Sequence, residues 1–208
     1  MRLFTYFRSS AAYRVRIALH LKGVAYESVP VNLLEGEQRK ADYKAVNPQG
    51  RVPALDIGTA TLIQSPAILE YLDEVYPEPP LLPVGAATRA KVRAVASLIG
   101  CDIHQLNNSG TLAYLKNRLG HDQAAADAWY AHWVREGFDA VESLIEPGPY
   151  AFGARVTLAD LYLVPQVFNA RRFNVPLDAY PKIAGVDAAC AMLKAFQDAA
   201  PARQPDSS

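Results

Sequence analysis

Residues 77–86, Pro-Glu-Pro-Pro-Leu-Leu-Pro-Val-Gly-Ala, place four prolines in seven positions. Proline fixes φ and has no N–H, so this stretch can continue neither a helix nor a central strand and runs extended. The patterning differs on its two sides. Before it, short apolar runs alternate with helical periodicity; after residue 87 the apolar residues keep helical spacing throughout and give no strand signal. With 208 residues, half of them hydrophobic, the chain has apolar surface enough for two domains. The expectation is an α/β domain over 1–79, a linker over 80–86 and an all-helical domain over 87–208.

Ahead of the linker, Leu3 to Phe7 reads as a strand and Arg14 to Lys22 as a helix, with Val15, Ala18, Leu19 and Leu21 on one side and Gly23 as its stop. Tyr26 to Asn32 is a second strand. Its Pro30 cannot donate to a ladder, so that strand belongs at a sheet edge. Val52 to Ile57 and Thr61 to Gln64 flank Gly58-Thr59 as a hairpin. Ser65-Pro66 then opens a helix, serine as N-cap and proline at the first helical position, with Ile68, Leu69, Leu72 and Val75 facing inward. The order is βαβ followed by ββα. Beyond the linker, a first helical face runs from Val92 to Leu106 and another from Tyr130 to Ile145. Thr157 with Asp160 three residues on signals a helix start, Pro165 a kink or an early end of that helix, and a last helix is expected near Val186 to Phe196.

Twenty-one basic residues balance twenty-one acidic ones, which leaves no overall field to draw in nucleic acid or an anionic membrane. No apolar stretch near the start is long enough for a secretion signal or a membrane span, and the chain is expected to be cytoplasmic. Cys101 and Cys190 are far apart and outside metal-ligand spacing, so neither a disulfide framework nor a metal site is expected. These features favour a small-molecule partner.

Several positions carry two readings. Ser9 and Ser10 precede a helix, and one of them serving as its cap accounts for them; equally, a helix N-terminus favours a thiolate, which a ligand would have to bring. Val52-Pro53 reads as an ordinary strand start, proline being tolerated at the first residue of a strand. Gln64-Ser65 is a strand end and cap, or a site where helix N–H groups receive an anion. His104 reads as a packed or solvent-edge residue, and Asn107 and Asn108 as the mark of a helix end. Arg171 and Arg172 suit a helix C-terminus through its dipole alone. Arg14 and Arg16 read as a solvated or stem-packing pair, with Arg14 available to brace the loop before it.

The segments RSSAAYRVRIAL, NPQGRVPAL, QSPAILEYL, CDIHQLNN, TLADLYLVPQV, NARRF and RQPDS, spread over nearly the whole chain, together resemble the zeta class of glutathione transferases. That class includes the maleylacetoacetate and maleylpyruvate isomerases, and CDIH, NARRF and QPDS look nearest the bacterial maleylpyruvate isomerases. The resemblance implies a thioredoxin-like first domain, an all-α second domain, glutathione as cofactor and a homodimer. It also implies cis–trans isomerisation of a small enoyl dicarboxylate in aromatic catabolism. A glutathione transferase or dehalogenase of small 2-halo acids, and a noncatalytic interaction protein on the same scaffold, are the alternatives. On this reading Ser9, Ser10, Arg8 and Arg172 are catalytic, Ser9 or Ser10 touching the sulfur and the arginines the two carboxylates. Gln38, Gln49, Val52, Pro53, Gln64, Ser65, His104, Asn107 and Asn108 hold glutathione, with Pro53 cis in such folds. One departure stands out: the family signature often reads Ser-Ser-Cys, and Ala11 occupies the cysteine's place, so no protein thiol acts there.

Overall fold

The computed structural model describes residues 1–207. Two compact units emerge: Met1–Pro80 together with the segment from Ala191 on, and Leu81–Cys190. The expectation of one helical domain over 87–208 is therefore corrected at its end. Hydrogen bonds from Arg16 Nε to the Ala199 carbonyl (3.0 Å) and from the Phe7 N–H to Asp206 (2.9 Å) attach the last residues to the first unit.

The first unit is built on a four-stranded mixed sheet of order β2-β1-β3-β4. Strand β1 (Arg2–Thr5) buries Leu3 and Thr5, alternating with Arg2 and Phe4. Helix α1 (Ser10–Leu21) is buried from Ala12 to Leu19. It ends in a Schellman turn in which Val24 N–H bonds to Leu19 O and Gly23 N–H to His20 O, with Gly23 at φ +64° where a side chain would be strained. Strand β2 (Glu27–Pro30) runs parallel to β1 at the outer edge, as its proline requires. Strands β3 (Ala54–Asp56) and β4 (Thr61–Ile63) form the antiparallel hairpin, its turn held by Gly58 N–H on Asp56 Oδ1 at 2.8 Å. Helix α3 (Ser65–Val75) buries Ile68, Leu69 and Leu72 against α1. Lys22, at the end of α1, pairs with Asp73 of that helix at 2.6 Å.

Helix α2 (Ala41–Val46), preceded by a 3₁₀ turn over Glu37–Arg39, is an element the periodicity does not announce. Tyr43 is its one buried residue and joins Tyr6, Val31 and Val52 in a small core. Arg14 and Arg16 are likewise not a solvated pair: they are 2% and 0% exposed, deep on the inner side of α1.

In the second unit, α4 (Ala86–Ser97) continues through a π-helical stretch (Leu98–Ile103) into α5 (His104–Asn107). Next come α6 (Ser109–Asn117) and α7 (Gln123–Leu144). Helix α8 (Leu158–Arg172) opens on the expected capping box of Thr157 and Asp160 and runs past Pro165 to Arg172 without an early end. It is buried from Leu158 to Val167, as suits a helix packed on every side. Instead of one last helix there are two, α9 (Pro181–Ala191) and α10 (Lys194–Ala199); α10 lies on α1 in the first unit. No helix among the described residues is long and apolar enough to cross a membrane.

Candidate functional site

Ser9 is the N-cap of α1: its backbone is extended and its Oγ accepts from the Ala12 N–H at 3.2 Å. That bond uses an oxygen lone pair and leaves the hydroxyl proton for another acceptor. Ser9 is half-buried, whereas Ser10 lies inside the first turn and is 3% exposed. Arg8 is exposed, its guanidinium 4.9 Å from the centroid of the Phe7 ring.

The start of α3 corrects one expectation. Gln64, not Ser65, occupies the cap position, with φ +69° and no side-chain hydrogen bond to the helix. Positive φ is uncommon outside glycine, and such residues gather at ligand-binding turns. Ser65 sits in the first turn and accepts from Arg14 Nη1 at 3.5 Å, so this buried arginine ties the starts of α1 and α3 together. Helix α3 therefore begins with no side-chain cap and no acid in its first turn, which leaves its positive end to an outside anion.

Gln64 reaches back: its Nε2 donates to Gln49 Oε1 at 2.6 Å. The loop carrying Gln49 is braced from below. Asn47 Nδ2 and the Tyr43 hydroxyl both donate to Arg51 O, at 2.6 and 2.7 Å, and Gln49 N–H donates to Asn47 Oδ1 at 3.0 Å. Burial pushes the Tyr43 phenol up to about 12, so it remains a donor at neutral pH. Gly50 has φ +63°, and a Cβ there would lie 2.8 Å from Gln38 O, which brings Gln38 against the same loop. Gln38 Oε1 is buried without a hydrogen-bond partner. The Val52-Pro53 peptide is cis, and the ladder pairing of β3 begins only at Ala54. Ser9, Gln38, Gln49, Val52, Gln64 and Ser65 thus belong to one unit. Tyr43 and Asn47 are supports that sequence reasoning missed; for Asn47 the Asn-Pro dipeptide is a usable turn signal. Arg14 braces as its place in the sequence allowed, but through Ser65 of another helix.

The remaining residues belong to the helical unit. His104 opens α5 directly after the π-helical stretch and is half-buried. Asn107 Nδ2 donates to Tyr130 O at 3.2 Å, while Asn108 caps α6, accepting from Gly110 and Thr111 N–H at 2.8 and 3.0 Å. The Tyr130 ring stacks on Phe173 at 3.7 Å, and Arg172 lies 4.8 Å over Phe173. Burial holds the Tyr130 phenol at about 12 despite the Arg172 charge nearby. Arg171, in contrast, pairs with Asp187 of α9 at 2.6 Å.

Comparison with known proteins gives the family. Residues 1–74 match the family model of the glutathione S-transferase N-terminal domain, and residues 123–186 that of the C-terminal domain. A maleylpyruvate isomerase of Ralstonia sp is 54% identical, over 100% of both chains. A maleylacetoacetate isomerase of Pseudomonas aeruginosa is 53% identical, over 99% of this chain and 98% of its own. The solved holo structure of a maleylpyruvate isomerase, described as a bacterial zeta-class glutathione S-transferase, superposes with a TM-score of 0.98 at 54% identity and covers 100% of both chains. A maleylacetoacetate isomerase of Anaeromyxobacter dehalogenans with glutathione in its active site gives 0.90 at 43% identity, over 100% of this chain and 97% of that one. The chain belongs to the glutathione S-transferase family, in its zeta class.

Proposed function

We propose that the chain is a glutathione-dependent cis–trans isomerase of a small enoyl dicarboxylic acid, converting maleylpyruvate to fumarylpyruvate or maleylacetoacetate to fumarylacetoacetate in aromatic catabolism. The observation that supports this most is 54% identity to a maleylpyruvate isomerase over the full length of both chains.

Glutathione suits the groups present. Its γ-glutamyl carboxylate matches the uncapped start of α3 at Gln64 and Ser65. Its peptide groups match Gln49 and the main chain of Val52 ahead of Pro53, which lies outside the ladder. Gln38 Oε1, an acceptor with no partner of its own, calls for an N–H that such a ligand carries. His104, Asn107 and Asn108 are further contacts on this reading, with the two asparagines also serving α6 and α7.

When bound, glutathione supplies a thiolate that adds reversibly to the conjugated cis bond and is returned unchanged. Ser9 donates its free hydroxyl proton to that anion, and the α1 N-terminus adds partial positive charge. Ser10 completes the first turn beneath it. Arg8 and Arg172 take the two substrate carboxylates as planar bidentate donors and stabilise charge developing on the substrate oxygen. The contact of Arg172 with Phe173, whose ring is itself stacked on Tyr130, narrows its choice of rotamers. The reading carries with it a homodimer and a cytoplasmic place of work, supported by family membership.

The test is an absorbance assay of both cis acids with purified protein, with and without glutathione, beside a 2-chloro acid. Isomerisation that needs glutathione and leaves it intact is expected. Fast isomerisation without glutathione refutes the reading, and halide release with matching glutathione loss replaces it by dehalogenation.

A further inference from the structure

The proposed chemistry leaves the final segment, Arg203 to Ser207, without a task. Its Asp206 Oδ2 accepts from the Phe7 N–H at 2.9 Å, across 199 residues of sequence. The other main-chain polar atom of that residue, Phe7 O, accepts from Arg16 Nη2 at 3.0 Å. Arg16 Nη1 adds Thr5 Oγ1 at 3.0 Å and Tyr6 O at 3.4 Å, while its Nε reaches Ala199 O at 3.0 Å. One fully buried guanidinium thus joins the loop ahead of α1 to the returning tail.

Burial brings the Arg16 pKa down to about 10, and the Asp206 charge is among those that support the cation. The tail is itself held in place: Gln204 Nε2 donates to Asp198 O at 2.9 Å and Ala200 O at 3.0 Å. Asp206 Oδ1 is buried with no hydrogen-bond partner, a cost that an end serving only to fill space would not carry. Both main-chain polar groups of Phe7 are therefore fixed from outside the loop, and the next two residues are Arg8 and Ser9.

We propose that Asp206 is a positioning residue for the thiolate site: by holding Phe7 it sets the place of the Ser9 hydroxyl and the Arg8 guanidinium. This rests on the role given to Ser9 above. The test uses the full chain and four variants, Asp206→Ala, Asp206→Ser, Asp206→Asn and, as a control on the same tail, Arg203→Ala. It measures the pKa of the bound glutathione thiol by ultraviolet titration, kcat and KM for diacid and glutathione, and Tm.

Asp206→Ala is expected to raise the bound-thiol pKa by about one unit and lower kcat about tenfold at neutral pH, with KM for glutathione changed less than about twofold. Asp206→Asn, whose amide oxygen still accepts from Phe7 N–H, recovers kcat to within about threefold of wild type. Arg203→Ala behaves as wild type. Should the alanine variant not fold, Asp206→Ser shows the same losses to a lesser degree. An Asp206→Ala or Asp206→Ser protein with wild-type thiol pKa and kcat overturns the proposal, as does an Asp206→Asn protein as impaired as the alanine variant. A wild-type protein that binds no glutathione overturns the reading of Ser9 and this one with it; a wild type that binds it normally confines any failure to the tail.

Discussion

Replacing Ser9 by alanine removes two interactions that separate experimentally. The first is the cap, Ser9 Oγ on the Ala12 N–H at 3.2 Å. Serine to alanine at an N-cap costs about 1 kcal/mol, or about 2–4 °C of Tm in a chain of this size. The second is the bond proposed above to the bound thiolate, and a hydrogen bond to a charged group is worth about 1.5–3 kcal/mol. At about 1.4 kcal/mol per pKa unit, its loss raises the bound-thiol pKa by one to two units, which lowers the thiolate fraction and kcat/KM at neutral pH by about ten- to a hundredfold. The α1 N-terminus still favours the anion in the variant, so the pKa stays below that of a free thiol. Ser9→Asp keeps the cap and sets a carboxylate against the sulfur, so Tm holds while the thiol pKa climbs beyond the alanine value. Thermal unfolding without glutathione reads the first effect, and ultraviolet titration of the bound thiolate the second. An alanine variant with wild-type thiol pKa and turnover refutes the reasoning.

Other positions give independent checks. Asp160 accepts from Ala151 N–H, Thr157 N–H and Thr157 Oγ1 at 2.8, 2.7 and 3.0 Å in a fully buried place; Asp160→Ala is expected to cost about 3 kcal/mol or more, read as a fall in Tm, and an unchanged Tm contradicts it. A Cβ at Gly137 would overlap Ile103 Cδ1 and Cγ1 in the π-helical stretch, so Gly137→Ala should destabilise by about 1–3 kcal/mol in denaturant unfolding. Arg172→Ala should raise KM for the diacid about tenfold or more and leave glutathione affinity alone, whereas Arg171→Ala, which loses the Asp187 pair, should move Tm and not KM. Burial lowers the His20 pKa, with Asp198 opposing and Lys194 and Arg16 assisting. The unfolded chain thus takes up a proton near pH 6.5 that the folded one resists, and stability present above that pH is lost as pH falls toward the folded pKa. His20→Gln should show a flatter Tm curve between pH 7.5 and 5.5, two parallel curves being the contrary result.

The elements of this fold that are legible in the sequence are those whose cause lies within a few residues. Pro30 puts β2 at the edge of the sheet, Gly58 makes the hairpin, and Thr157 with Asp160 opens α8, each through local backbone chemistry. Helix α2 escapes because Tyr43 alone of its six residues is buried, which leaves no period to detect. The split between α9 and α10 and the return of the tail to the first unit depend on partners far away in sequence, such as Ala199 for Arg16.

The site divides in the same way, and the division explains why charge is misread from sequence. Ser9 is legible as a cap because a cap needs only its own helix. Ser65 looks like a cap by the same local rule, yet Gln64 turns the chain through a positive φ and Ser65 binds Arg14, which comes from another helix. Arginines belong at the surface unless paired, and nothing near Arg14 or Arg16 in sequence shows what they pair with. Their oxygens arrive from Ser65, Thr5, Phe7 and Ala199. A guanidinium offers five donors in a fixed plane, so one buried arginine can hold several segments that no periodicity connects. In this chain the two buried arginines stand under the two helix starts that carry Ser9 and Ser65. The residues that position the site are therefore ones whose partners a local reading does not supply: it leaves Arg14 and Arg16 a solvated or stem-packing pair, with Arg14 available to brace a loop, and a pair of arginines one turn inside an apolar helix is itself a signal of loops being held.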